Sequence, residues 1–169
     1  YMNLFGTRYA LEILTVCTAN ICRSPMAECI LREELKMRGL SKKVNVSSAG
    51  THVSRPGVMA DARARKVCAR HGVDLRRCRT RQVEEQDFDR FRFILAMDER
   101  NYGWLCREFP PAQQHRIFLI GTWAQGEAIG DIPDPYFGSA AGFETVYQQL
   151  YVSIKGFAAQ IPNLVDVDN

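Results

Sequence analysis

Hydrophobic residues along this chain occur either in short continuous runs or in longer stripes with helical spacing. The segment Glu12–Val16 (EILTV) is short, apolar and rich in β-branched residues, which is typical of a buried strand. Val44–Ser48, Phe91–Ala96 and Arg116–Ile120 are predicted to be three further strands. The pattern therefore predicts four strands, well separated along the chain.

Stripes of apolar residues at helical spacing lie between and after the predicted strands. The first stripe follows Pro25, which suits the first position of a helix, and it ends at Gly39. Further helices are predicted over Met59–Arg70 and from a cap at Asp98 to about Cys106. A long closing helix carries its apolar stripe at Phe143, Val146, Tyr147, Leu150, Ile154 and Phe157.

The alternation of strands and helices predicts an α/β fold. We expect a single-domain, open four-stranded parallel sheet with helices on both faces and right-handed crossovers. The chain has 169 residues, 46% of them hydrophobic and 24% charged, which suits one globular domain. Its core is predicted to span about 10–161, with flexible ends at 1–9 and 162–169.

Charge and hydropathy narrow the classes of partner. The formal net charge of +3 does not argue for nucleic-acid binding, although it is compatible with a small anionic target. No apolar run approaches the ~20 residues needed to span a bilayer, and the first residues lack the apolar region of a secretory signal. We therefore expect a cytoplasmic protein without membrane insertion. A basic cluster without interleaved aromatic residues is predicted to be a solvated turn or a docking surface for acidic segments, at Arg76, Arg77, Arg79 and Arg81.

The six cysteines are expected to be reduced thiols. Their even number could indicate disulfides, but no secretory signal is recognised and the chain is long enough to build a core without them. The sequence contains no Cys-x-x-Cys pair and no Cys/His cluster with zinc spacing. We expect neither a metal ion nor a cofactor.

The segment Cys17–Ser24 (CTANICRS) carries the candidate chemistry. It lies between the first predicted strand and the first predicted helix, where open parallel sheets bind their ligands. A loop at this place can turn backbone N–H groups inward as an anion nest, and the helix adds the positive end of its dipole. Such a phosphate-binding loop favours the thiolate form of Cys17, which is nucleophilic. Arg23 could bind two phosphate oxygens through its planar fork, and Ser24 could donate a hydrogen bond to the Cys17 sulfur.

The same residues also have a purely structural interpretation. Cys17 alone would be read as a buried apolar cysteine, and Arg23 as a surface charge at the start of a helix. A cysteine and an arginine separated by five residues are a weak signal. The combination of strand, Cys, five residues, Arg-Ser-Pro and helix is a strong one, and it favours phosphate chemistry.

This combination resembles the low-molecular-weight protein tyrosine phosphatase family, whose motif reads approximately V-C-x-G-N-x-C-R-S-P and is matched here by Val16–Pro25. Further matching segments follow in the family's order, at Ser48–Thr51, Arg79–Gln82, Met97–Asn101, Asp134–Tyr136 and Phe143–Tyr147. The resemblance covers roughly Glu12 to Ile161, which is nearly the whole chain.

The resemblance implies a phosphotyrosine protein phosphatase that works through a phosphocysteine intermediate. Cys17 would attack phosphorus and Arg23 would bind the phosphate. Asp134, in a loop with two prolines and a glycine, would protonate the leaving tyrosine oxygen and then activate water. The alternative for Asp134 is a turn residue before Pro135. Phosphate or substrate contacts are assigned to Thr18, Ala19, Asn20, Ile21, Cys22, Ser24 and Tyr136.

Supporting roles are also implied by the resemblance. Asn20 and Ser48 would hold the loop through hydrogen bonds, and Tyr136 would form one wall of the cleft. Cys22 would form a reversible disulfide with Cys17 under peroxide, although packing under the loop is an equal alternative. Asp98 is interpreted as a cap or structural residue.

Two positions depart from the family pattern. Ala19 replaces a glycine, which matters if that position needs a positive φ. The segment Thr51–Pro56 (THVSRP) looks short and has only His52 where eukaryotic members carry an aromatic cleft wall. This resembles bacterial members that act on tyrosine autokinases in capsule or exopolysaccharide export, so a tyrosine-rich autokinase tail is the predicted partner.

Two other functions remain as alternatives. An arsenate reductase of the same fold would pass electrons through further cysteines, but Cys78 and Cys106 are not a close pair in sequence. A non-catalytic phosphate-binding module is favoured only by Ala19. The protein itself is expected to be a monomer or a weak dimer.

Overall fold

The computed structural model describes residues 9–126 and 128–165. Its strands are β1 (Leu11–Cys17), β2 (Val44–Gly50), β3 (Phe93–Ala96) and β4 (Ile117–Leu119). Its α-helices are α1 (Arg23–Met37), α2 (Ala62–Arg70), α3 (Asp87–Arg90), α4 (Glu99–Glu108), α5 (Ala140–Ala158) and α6 (Ile161–Val165). The strands form a four-stranded parallel sheet in the order β2-β1-β3-β4, which confirms the predicted fold class.

The sheet has a hydrophobic core on each face. Successive residues of a strand point to opposite sides, so Ile13 packs in the core with α1 and α5 while Leu14 packs on the other face. The second core is completed by α4 residues, among them Leu105. Because both faces are covered, the strands read as continuous apolar runs rather than as alternating ones.

The strand order determines where on the sheet a ligand site is expected. β1 is central, and its two neighbours are β2 on one side and β3 on the other. The order therefore changes direction at β1, and ligands of open α/β sheets bind at the carboxyl end of such a strand. That end is Cys17, which pairs with Gly50 of β2.

Helix α1 begins two residues earlier than the sequence predicted. Arg23 is its first residue, and its first intrahelical hydrogen bond runs from the Met26 N–H to the Cys22 carbonyl. Pro25 is thus the third residue of the helix rather than the first, still among the positions whose N–H has no intrahelical partner. Gly39, with φ of +72°, follows the helix end as predicted.

Three other predicted boundaries need correction. Met59 is not helical but bridges Arg79 in an antiparallel pair, and α2 starts after its cap Asp61, which accepts from the Arg63 N–H. Phe91 ends the short helix α3, which the sequence pattern did not predict, so β3 begins two residues later. Two 3₁₀ turns, Pro111–Arg116 and Ile120–Trp123, flank β4 and shorten it.

The carboxyl-terminal segment is more ordered than predicted. Ile161 and Val165 are buried, and the segment between them forms α6. The predicted frayed tail thus contains a helix up to Val165, while 1–8 and 166–169 lie outside the described residues. The limits of the domain stay a prediction. Within the described part of the chain, every helix is too short or too polar to cross a bilayer.

Candidate active site

The Cys17 sulfur lies at the centre of a tight loop between β1 and α1. It accepts a hydrogen bond from the Asn20 N–H at 3.3 Å, and the Ser24 hydroxyl lies 3.0 Å away. Cys17, Asn20 and Ser24 are all buried. The sulfur therefore has one backbone donor and one hydroxyl within hydrogen-bonding distance.

Asn20 gives the loop its shape. Its φ is +58°, the left-handed region that asparagine tolerates better than other side chains. Its amide nitrogen donates to the hydroxyls of Ser24 and Ser48, at 2.8 and 3.0 Å. Its amide oxygen accepts from the Arg81 N–H at 2.9 Å. Three side-chain hydrogen bonds therefore hold a backbone conformation that is otherwise unfavourable.

The replacement of glycine by Ala19 causes no backbone strain. Among the described residues other than glycine, a positive φ occurs at Asn20 and not at Ala19. The alanine methyl group is therefore compatible with the loop conformation. Ala19, the residue that favoured a non-catalytic phosphate-binding module, therefore does not distort the loop.

A buried carboxylate lies behind Ser48. Glu28 accepts the Ser48 hydroxyl proton at 2.7 Å, and its other oxygen accepts from Arg32 at 2.6 Å. Because Ser48 donates to Glu28, its oxygen remains free to accept from Asn20. The sequence analysis missed Glu28, although a glutamate inside the apolar stripe of α1 is a signal that could have identified it.

Arg23 is fixed by partners far away in the sequence. Its Nη1 donates to Asp98 at 2.6 Å and to the Ile132 carbonyl at 2.9 Å. Burial lowers the pKa of Arg23, but the charges of Cys17, Asp98 and Asp134 outweigh burial and hold that pKa above its ordinary value. The guanidinium is therefore a permanent charge.

Asp98 has a second role besides the predicted one. Its Oδ1 caps α4 by accepting from the Asn101 N–H at 2.8 Å, as expected, while its Oδ2 pairs with Arg23. One carboxylate thus fixes both a helix terminus and Arg23.

Asp134 lies at the mouth of the site. Its Oδ2 is 3.8 Å from Arg23 Nη2, and its side chain is 52% exposed. Its Oδ1 accepts from the Tyr136 N–H at 3.1 Å, which orients the carboxylate within its turn. Asp134 is therefore reachable by both water and a leaving group above the loop.

A cavity of about 290 Å³ joins these groups. It is lined by Cys17, Thr18, Ala19, Ile21, Cys22, Arg23, Ser54, Asp134, Tyr136 and Phe137. Most of the predicted site residues thus meet in one place. The exceptions are Asn20, Ser24 and Ser48, which lie beneath the loop and contact its sulfur or one another.

The walls of the cavity are unequal. Tyr136 is 41% exposed and Phe137 is 94% exposed, so one side carries two aromatic rings. Ser54 also lines the cavity. The ring of His52 packs edge-on against Trp104 at 5.7 Å, and His52 is not among the residues that line the cavity.

The cysteines around the site differ in their surroundings. Burial, and then the charge of Asp61, raise the pKa of Cys22, so this residue is a neutral thiol beside the nest. Cys29 and Cys78 lie behind the loop with their sulfurs 3.1 Å apart, next to Glu28. The sequence analysis missed this group because its members are 49 residues apart. All six cysteines are free thiols in the structure.

These features define a class of site. A cysteine and a buried arginine share one anion-binding loop at the switch point of a parallel sheet, with a carboxylate at its mouth. The arrangement is that of a phosphatase with a cysteine nucleophile.

Comparison with known proteins identifies the family. Residues 12–166 match the family described as low molecular weight phosphotyrosine protein phosphatase. The chain belongs to this family, whose members are protein-tyrosine phosphatases, and the resemblance seen in the sequence is confirmed.

Individual relatives match nearly the whole chain. The low molecular weight phosphotyrosine protein phosphatase of Schizosaccharomyces pombe is 32% identical over 89% of this chain and 97% of its own. A crystal structure of protein tyrosine phosphatase from Entamoeba histolytica has a TM-score of 0.87 and 32% identity, covering 90% of this chain and 97% of that one. The arginine phosphatase YwlE, solved with its active-site serine phosphorylated, has a TM-score of 0.81 and 26% identity, with coverage of 90% and 96%.

Proposed function

We propose that Cys17, Arg23 and Asp134 hydrolyse phosphotyrosine through a phosphocysteine intermediate. The observation that carries this proposal is the Cys17 sulfur, held by the Asn20 N–H and the Ser24 hydroxyl inside a loop that also positions a buried arginine. A binding loop alone would need no nucleophile at its centre.

In the first step the Cys17 thiolate attacks phosphorus and the bond to the tyrosine oxygen breaks. Backbone N–H groups of the loop hold the equatorial phosphate oxygens, together with Nε and Nη2 of Arg23. Asp134 gives its proton to the departing phenolate, a role that its exposed position above the loop allows. The Ser24 hydroxyl stays with the sulfur throughout.

In the second step water attacks the phosphocysteine. Asp134, now a carboxylate, removes a proton from this water, and the sulfur leaves as a thiolate. Ser24 and the Asn20 N–H stabilise the departing sulfur, as they stabilised the attacking one. The phosphate is released and the enzyme returns to its starting state.

Tyrosine is the preferred substrate residue because the phosphate site is deep and has an aromatic wall. Tyr136 offers a ring beside the cleft, and Arg63 lies over that ring at 5.3 Å from its centre, which fixes it. The long aryl ester reaches the nest more readily than phosphoserine does. Since one relative is an arginine phosphatase, a phosphoarginine peptide is the comparison substrate that tests this preference.

The substrate in the cell is a bacterial tyrosine autokinase with a tyrosine-rich tail, and the enzyme acts in the cytoplasm. The support for this finer proposal is Ser54, which leaves one side of the cleft open to an extended tail. Phosphoproteomic comparison of cells with and without the gene should show increased tail phosphotyrosine on deletion. Unchanged tail phosphorylation would contradict it.

The active form is a monomer or a weak dimer. Sedimentation at several protein concentrations measures the oligomeric state.

The arsenate reductase alternative lacks a relay. Besides Cys22, which lies beside the nucleophile, such an enzyme needs a further cysteine that passes the electrons on. Cys78 faces Cys29 and Glu28 behind the loop, and neither Cys78 nor Cys106 lines the cavity. The cavity instead holds Asp134, which a reductase does not need. Hydrolysis is the better-supported reaction.

The test is release of p-nitrophenol from p-nitrophenyl phosphate with EDTA and a thiol reductant present. Wild type, Cys17→Ser and Asp134→Asn are assayed side by side from mildly acid to neutral pH. We expect turnover by wild type, none by Cys17→Ser and a sharp fall in Asp134→Asn. No turnover by the reduced wild type would contradict the proposal, and arsenate-dependent thiol consumption would then support the reductase. If the wild type hydrolysed p-nitrophenyl phosphate without EDTA but not with it, the reaction would require a metal ion.

A further inference from the structure

A second pair of cysteines lies behind the catalytic loop. Cys29 belongs to α1, and Cys78 belongs to the segment between α2 and α3. Their sulfurs are 3.1 Å apart and within hydrogen-bonding distance. Both side chains are buried, with relative exposures of 5% and 8%. Neither residue takes part in the proposed reaction.

This geometry is that of a dithiol ready to be oxidised. The two sulfurs already face each other, so a covalent bond needs an approach of about 1 Å rather than a backbone rearrangement. Cys78 keeps 8% of its surface exposed, so the pair lies close to the protein surface. We propose that Cys29 and Cys78 form a reversible disulfide, as a redox site separate from Cys17 and Cys22.

The oxidant is hydrogen peroxide, and the reaction balances with two thiols. One sulfur, as thiolate, attacks a peroxide oxygen; the O–O bond breaks, one water leaves and a sulfenic acid forms. The second sulfur attacks the sulfenic sulfur and releases a second water, which leaves the S–S bond. Two electrons pass from sulfur to peroxide, and a dithiol reductant reverses the reaction by exchange.

The surroundings set the order of oxidation. The hydrogen bond with Cys29, and then burial, raise the pKa of Cys78, so its thiolate is rare at neutral pH. Reaction through a thiolate is therefore slow at this pair. The sulfur of Cys17, which sits in the anion nest, should be oxidised first, and the buried pair should follow at higher peroxide.

The pair is linked to the support of the catalytic loop. Cys78 donates to Glu28 at 3.5 Å, and Glu28 accepts from Ser48, the partner of Asn20. Three residues after Cys78, Arg81 donates its N–H to Asn20 as well. A disulfide would tie this segment covalently to α1, and it would remove the Cys78 S–H that donates to Glu28 behind Ser48.

Peptide mapping tests the proposal directly on the full wild-type chain. Protein is exposed to graded hydrogen peroxide, free thiols are alkylated, and the denatured protein is cut with trypsin. The expected product joins the peptide Ser24–Arg32 to the dipeptide Cys78–Arg79, and dithiothreitol removes it. A disulfide between Cys17 and Cys22 would stay within a different peptide, Tyr9–Arg23, so the two oxidations are distinguished in one experiment.

Variants and thermal unfolding supply the second readout. The disulfide should raise the Tm of oxidised wild type by roughly 5–10 °C, because it closes a long loop of the unfolded chain. Cys29→Ala should abolish this rise, while the control Cys106→Ala should keep it. Finding both thiols still alkylated at peroxide levels well above those that fully oxidise Cys17 would overturn the proposal. The proposal would also be overturned if reduced wild type retained one equivalent of Zn²⁺ that Cys29→Ala did not retain. Glu28, Cys29 and Cys78 would then be a metal site.

Discussion

Replacement of Asn20 by alanine tests how the loop keeps its shape. Alanine pays about 1–2 kcal/mol to adopt the left-handed conformation at φ +58°. It also loses hydrogen bonds to Ser24, Ser48 and Arg81, each with a net contribution of about 1 kcal/mol. The free energy of unfolding should therefore fall by about 4 kcal/mol. The Asn20 N–H would no longer be held toward Cys17, so kcat should fall by roughly tenfold to hundredfold, as for loss of one transition-state donor.

The matched control is Asn20→Gly. Glycine adopts the same backbone conformation without strain but loses the same hydrogen bonds, so it should be more stable than the alanine variant by about 1–2 kcal/mol. Urea unfolding measures the stability of both variants, and hydrolysis of p-nitrophenyl phosphate measures kcat and KM. Equal stability of the two variants would refute the strain argument. Stability of both within about 1 kcal/mol of wild type would refute the role of the hydrogen bonds.

Three further substitutions test other parts of the account. Gly156→Ala should lower Tm by about 5 °C in calorimetry, because the new Cβ would overlap the Trp123 carbonyl oxygen. This overlap should cost more free energy than the higher helix propensity of alanine gains. An unchanged or raised Tm would contradict this packing. Asp98→Asn keeps the helix cap but leaves Arg23 without its charge partner, so saturating inorganic phosphate should raise the Tm of this variant more than that of wild type; equal shifts would argue against the pairing. Ser54→Tyr should lower KM for p-nitrophenyl phosphate about threefold by adding an aromatic wall, and an unchanged KM would show that position 54 does not face the substrate.

The catalytic loop was predictable because its signal is local. A strand, a cysteine, an arginine six positions later and a helix start are adjacent in sequence, so Cys17 and Arg23 could be placed without knowing the fold. The parallel sheet and its two covered faces followed from the alternation of elements, whereas the strand order β2-β1-β3-β4 was not predicted. The boundaries that failed, such as α2 and α6, depend on contacts that spacing does not encode. Met59 pairs with Arg79, and Val165 is buried.

The groups that sequence reasoning missed are linked to the loop across long separations. Asp98 meets Arg23 over 75 residues, and Cys78 meets Cys29 over 49 residues. Only the sheet topology brings these segments together, because β3 and the segment before α3 both approach the carboxyl end of β1. The position of Ser54 in the cleft also could not be predicted from the sequence. The sequence indicated His52 as the ring in that loop, but the backbone turns that ring toward Trp104 and leaves Ser54 in the cleft.

The most direct test of the proposed mechanism is to trap the phosphocysteine. Asp134→Asn is mixed with p-nitrophenyl phosphate, whose leaving group departs without a proton, and is quenched with acid within milliseconds. Hydrolysis of the intermediate needs the carboxylate, so the phosphoryl group should accumulate on Cys17 and be found by mass spectrometry in the peptide Tyr9–Arg23. Cys17→Ala should carry none. Release of p-nitrophenol with no phosphoryl group on Cys17, or with the group on another residue, would contradict the mechanism.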